Sequence, residues 1–135
     1  MTKKHSDLFK VYDVIYRFMQ TIVDIEPRLK KSQLTLSATS ESLGLGSLDW
    51  VDIITELENT FGIRLGNIDG LVNANIDKLL RACTQQMVQR GQLTAKQNDM
   101  IFERYPQVER VLLSSQQAID NNKTVVATNA KQNTK

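Results

Sequence analysis

The sequence predicts an all-helical bundle, and three observations carry that reading. Apolar residues recur at steps of three and four in three separate segments, each segment ends at a proline or glycine, and the stretches between are rich in Ser, Thr, Asn and Gly. In the first segment Leu8, Val11, Tyr12, Ile15, Phe18, Met19, Ile22 and Val23 share one face, which predicts a helix over 7–26. Ser6 or Asp7 is the expected N-cap, and Pro27 disfavours a helical Glu26.

Residues 28–46 lose this periodicity and keep only isolated Leu34, Leu36, Leu43 and Leu45, which predicts a long loop pinned by leucines. A loop of that length inside a compact domain points to a function, here delivery of the chain to a site. Ser47 is the expected N-cap of a second helix over 47–61. Its inner face is Trp50, Ile53, Ile54, Leu57 and Phe61; its outer face carries Asp49, Asp52, Glu56 and Glu58. Asp49 complements the positive end of the helix dipole, and Gly62 is the stop.

The turn-rich run after Leu65 leaves room for a short third helix near 69–73. A fourth follows over 75–89, with Ile76, Leu79, Leu80, Cys83 and Met87 at helical spacing and Gly91 beyond. Three main helices, one short helix and a long first loop make a four-helix bundle. Beyond it, 94–104 is amphipathic, Pro106 is expected to break it, and 108–119 forms a further helix. The predicted organisation is a bundle domain over 1–90, a helical C-terminal extension over 91–120 and a disordered tail over 121–135, whose composition is polar.

Composition narrows the function. With 41% hydrophobic residues and only short apolar runs, no membrane span is expected. The apolar stretch near the N-terminus is interrupted by Asp13, Arg17 and Asp24, unlike a secretory signal, and a lone Cys forms no internal disulfide. Both features point to a cytoplasmic protein. The net charge of +2 is unevenly spread: residues 37–80 carry two basic against seven acidic side chains, between two basic flanks. An acidic centre attracts basic partner surfaces and opposes nucleic acid, and the flanking Lys residues are scattered without a nucleic-acid motif.

The stretch Leu43-Gly44-Leu45-Gly46-Ser47-Leu48-Asp49-Trp50-Val51-Asp52 and its continuation Leu57-Glu58, Phe61-Gly62 and Ile63 resembles the signature of the acyl carrier protein family. A weaker resemblance spans 7–89. One position departs from it: Gly46 stands where the family usually has Asp, which loosens the turn into the helix. The resemblance implies a bundle of acyl carrier type, with 4'-phosphopantetheine attached to Ser47 by a phosphopantetheinyl transferase. Acyl groups would ride on the arm's thiol as thioesters, and the chain itself would catalyse nothing. It also implies that Leu48, Asp49, Val51, Asp52, Glu56 and Glu58 dock the basic patches of acyl-loading, synthase or transferase enzymes of fatty acid, polyketide or related lipid synthesis.

In the same resemblance Trp50, Ile54 and Leu57 are candidates to line an acyl cleft. Trp50 reads either as a core aromatic or as a residue that fills part of the cleft and restricts cargo to short or unsheltered groups. A monomer is expected. The alternative to a working carrier is an interaction module of the same fold that never bears the arm. His5 has no second ligand for a metal, and Cys83, on an apolar face without a neighbouring base, reads as a core thiol.

Overall fold

The computed structural model describes the backbone of residues 2–66, 70–71 and 74–133, and, within those, the side chains of residues 7–122. Among the described residues four α-helices account for the architecture: α1 (Thr2–Ile25), α2 (Ser47–Phe61), α3 (Ile76–Gln89) and α4 (Ala95–Asn133). A 3-10 turn at Lys31–Gln33 lies between α1 and α2. A single bridge between Thr39 and Asn75 is the nearest approach to a sheet among the described residues.

The predicted inner faces are the buried ones. Val11, Val14, Ile15, Phe18, Met19 and Ile22 of α1 pack with Trp50, Ile53, Ile54, Leu57 and Phe61 of α2 and with Ile76, Leu79, Leu80, Cys83 and Met87 of α3. α1 makes its most extensive contacts with α4 and then with α2. The α1–α2 seam is stitched by Arg17, whose Nη2 donates to the Thr60 carbonyl at 2.8 Å while the guanidinium lies over the Phe61 ring. Gly62 ends α2 in the left-handed region, φ 65°, where its N–H and that of Ile63 both reach the Glu58 carbonyl.

Several expectations are corrected. α1 begins at Thr2, so Ser6 and Asp7 lie inside it and neither caps it. Asp7 instead accepts from Gln97 Nε2 at 2.9 Å and faces Lys96 Nζ at 3.8 Å, tying α1 to the start of α4. The short helix expected near 69–73 falls largely outside the described residues; Gly70 is in a turn and Leu71 is irregular.

The largest correction concerns the chain after Gly91. Thr94 and Gln97 form a reciprocal capping box, each side chain accepting the other's backbone N–H at 3.0 Å, which starts α4. The helix then passes through Pro106 without breaking. Proline removes one backbone hydrogen bond and costs about 3 kcal/mol. Ile101, Tyr105 and Val108, on both sides of it, are buried in the common core, and each such burial contributes roughly 1.5–3 kcal/mol. Packing therefore outweighs the breaker.

No core boundary falls at residue 90, because Leu93, Ile101, Tyr105 and Val108 belong to the same apolar cluster as α1 to α3. Beyond Leu112 the helix leaves the bundle, exposing Leu113 and Ile119. Its backbone stays helical to Asn133, where a disordered tail is the sequence expectation. Once a helix is nucleated, each added residue gains a hydrogen bond for little further ordering.

Candidate functional site

The backbone of the segment leading to Ser47 is anchored from both sides. Tyr105 Oη donates to the Leu34 carbonyl at 2.6 Å, and Glu109 Oε1 accepts from Leu36 N at 2.8 Å, both from α4. On the other side the Leu36 and Ala38 carbonyls accept from Asp77 N and Ile76 N, the first N–H groups of α3. Residues 34–38 are thereby laced between α4 and the N-terminus of α3. Thr39 and Ser42 then exchange side-chain-to-backbone hydrogen bonds, and Gly44, φ 72°, closes a single helical turn in which Leu45 N reaches the Ser40 carbonyl. What the sequence presents as a loose loop is an ordered strut.

Tyr105 and Glu109 are the residues that sequence reasoning missed. Their signal was the stripe Ile101, Tyr105, Val108 and Leu112, spaced four, three and four straight across Pro106. Burial of the Glu109 carboxyl raises its pKa, opposed by the Leu36 N–H and by Arg110.

At α2 the strut delivers Ser47 one position later than expected. Gly46, extended at φ −79° and ψ 173°, is the N-cap, and Ser47 is the first helical residue. Gly46 has no side chain to accept from the helix, so the cap consists of Asp49 Oδ2 reaching back to Gly46 N at 3.1 Å. Ser47 is exposed, and among the described residues its hydroxyl has no hydrogen-bond partner. The two helix starts contrast: at α3, Ile76, Asp77 and Lys78 N–H are taken by Ala38, Leu36 and the Asn75 side chain, whereas the α2 start opens on solvent beside Ser47.

Leu48, Val51, Asp52 and Thr55 follow at i, i+3, i+4 and i+7 and form one outward strip. Leu48 is 80% exposed and Val51 43%, large values for aliphatic side chains. Asp52 is exposed, and Asp49 and Glu56 are half-buried beside the strip. Glu58 is turned elsewhere: its Oε2 accepts from Leu65 N at 2.7 Å and Gly66 N at 3.2 Å, fastening the chain after α2.

Trp50, Ile54 and Leu57 face inward and are buried, and Trp50 Nε1 donates to the Leu71 carbonyl. A cleft of about 270 Å³ opens at the far end of α2, lined by Glu58, Asn59, Ile63 and Arg64. Eleven residues of helix rise separate Glu58 from Ser47, about 16 Å, so this cleft is not part of the Ser47 site. Cys83 is buried, and desolvation pushes its thiol far above the usual range, so it stays protonated and unreactive. His5 lies outside the described side chains.

No family model, curated protein or solved structure matches this chain. Among the described residues no group of His, Cys, Asp or Glu is arranged to hold a metal ion, and no helix is long and apolar enough to cross a membrane.

Proposed function

We propose that this chain is a carrier that bears acyl intermediates on a 4'-phosphopantetheine arm at Ser47. The carrying observation is that Ser47 is exposed at the open start of α2, its hydroxyl without a hydrogen-bond partner among the described residues, instead of being spent as that helix's cap. An ordinary capping serine has its oxygen occupied by backbone N–H. A phosphodiester at this position would face the first N–H groups of α2 and the positive end of its dipole.

In the proposed step Ser47 Oγ attacks the phosphorus of coenzyme A that carries the pantetheine. The bond to the adenylate half breaks, adenosine 3',5'-bisphosphate leaves, and the serine proton passes to a base of the transferase. Acyl groups then exchange on the arm's thiol. Leu48 and Val51 supply an apolar contact beside the arm, and Asp49, Asp52 and Glu56 supply charge for basic partner enzymes of fatty acid, polyketide or related lipid synthesis.

The test is intact mass after coexpression with a broad-specificity phosphopantetheinyl transferase. Wild type gains the mass of one arm and Ser47→Ala gains none. An unmodified wild type with several such transferases overturns the proposal in favour of an interaction module of the same fold that binds a partner enzyme without the arm.

A further inference from the structure

We infer that Trp50 keeps acyl cargo outside the bundle, making this a carrier of short or unsheltered acyl groups. The inference rests on the arm reading of Ser47 and deepens it. A chain tethered at Ser47 has two apolar destinations: the outer strip of Leu48 and Val51, or the interior between α2 and the buried side chains of Leu71, Ala74 and Ile76. The outer strip is open.

The interior route runs past Trp50, one helical turn after Ser47. Its indole is fully buried, and Ile53, Leu57, Leu71, Ala74 and Ile76 in the same cluster are at most 4% exposed. The Nε1–H bond to the Leu71 carbonyl ties α2 to the opposite wall. An alkyl chain entering here must displace the indole, and it offers no replacement for either the donor or the acceptor it strands. The indole thus stands where a long chain would need to go, and its hydrogen bond makes that arrangement selective for an indole over a plain apolar filler.

The experiment loads Ser47 with acetyl, hexanoyl and dodecanoyl arms from the corresponding acyl-coenzyme A, using a transferase. Two properties are read: the indole N–H resonance of the sole tryptophan, and the rate at which hydroxylamine releases the acyl group. The expected result is an indole signal that stays within its linewidth across the series, with release rates independent of chain length. A dodecanoyl arm that moves the indole and slows release about tenfold overturns the inference, since burying two methylenes suffices for that protection.

Trp50→Leu, checked by circular dichroism for its helices, should gain such protection with the dodecanoyl arm. A folded Trp50→Leu protein that stays as unprotected as wild type shows that the barrier lies elsewhere and likewise overturns the assignment. Trp50→Phe, which removes the N–H donor that anchors the ring, serves if the leucine variant does not fold: it should gain part of that protection, and a folded phenylalanine variant as unprotected as wild type overturns the assignment. Failure to attach any arm sinks the carrier reading instead. The closed interior is then judged on Ser47→Cys alkylated with iodoacetamides of the same chain lengths, buried Cys83 being spared. An unmoved indole supports closure and a moved one overturns it.

Discussion

Gly46 occupies the N-cap of α2 in a conformation open to any residue, and a Cβ there would meet only Asp49 Oδ2 at 3.8 Å, an ordinary contact. Nothing in the backbone requires glycine. Gly46→Asp is expected to stabilise the protein by about 0.5 kcal/mol, from a less mobile unfolded chain and a better cap, partly offset by the nearby Asp49 carboxylate. The midpoint of chemical denaturation checks it; a lower midpoint shows that the repulsion wins. Glu109 titrates with the opposite sign to a salt-bridged carboxylate. Its pKa is raised on folding, so the folded state holds the proton more tightly. Its contribution is full below the usual glutamate range and is lost as pH rises through the raised value. Glu109→Gln keeps an acceptor for Leu36 N and removes that titration. Its denaturation midpoint should therefore fall less than that of wild type as pH rises across that window; identical pH profiles would refute this.

Among the elements, α4 carries the sharpest expectation. Removing everything after Arg90 exposes the surface that Ile101, Tyr105 and Val108 cover, roughly 4.5–9 kcal/mol of burial. It also deletes both α4 anchors of residues 34–38. That sum rivals the whole stability of a small domain, about 5–15 kcal/mol. Residues 1–90 expressed alone should be largely unfolded or aggregated by circular dichroism and size exclusion, and a stable monomer would refute the shared core. α2 and α3 were legible in the sequence because a buried face, a capping residue and a terminal glycine agree in each. The cap of α2 was misplaced by one residue because Gly and Ser are both competent caps. The choice was made by Asp49 reaching Gly46 N. α4 was read as two pieces because Pro106 is a local signal, while the burial that overrides it comes from α1 and the strut.

Across the whole molecule the charge is segregated, with the acidic centre meeting solvent on α2 between the basic terminal thirds. On the proposed reading, docking by a basic partner enzyme should therefore weaken with salt. Leu48→Glu and Asp52→Lys should each weaken binding about tenfold or more while leaving the thermal midpoint within a degree or two, because surface substitutions cost within about 0.5 kcal/mol. Titration calorimetry with such a partner, together with a melting curve, separates these effects; a fall in melting temperature would mean that the strip belongs to the core.

The linear chain alone set the helical periodicities, the stops at Gly62 and Gly91, the acidic face and the exposed register of Ser47, Leu48 and Val51. Each depends on residues within a few positions of one another, where spacing decides which face a side chain occupies. Long-range packing decided the rest. Only the folded chain turns Glu58 to the backbone of Leu65 and Gly66, seats the Trp50 indole on Leu71 and carries α4 through Pro106 to brace the strut before Ser47. Those outcomes join residues as far as 73 positions apart, as in the Leu36–Glu109 bond, and burial of the joined groups, not local propensity, supplies the free energy.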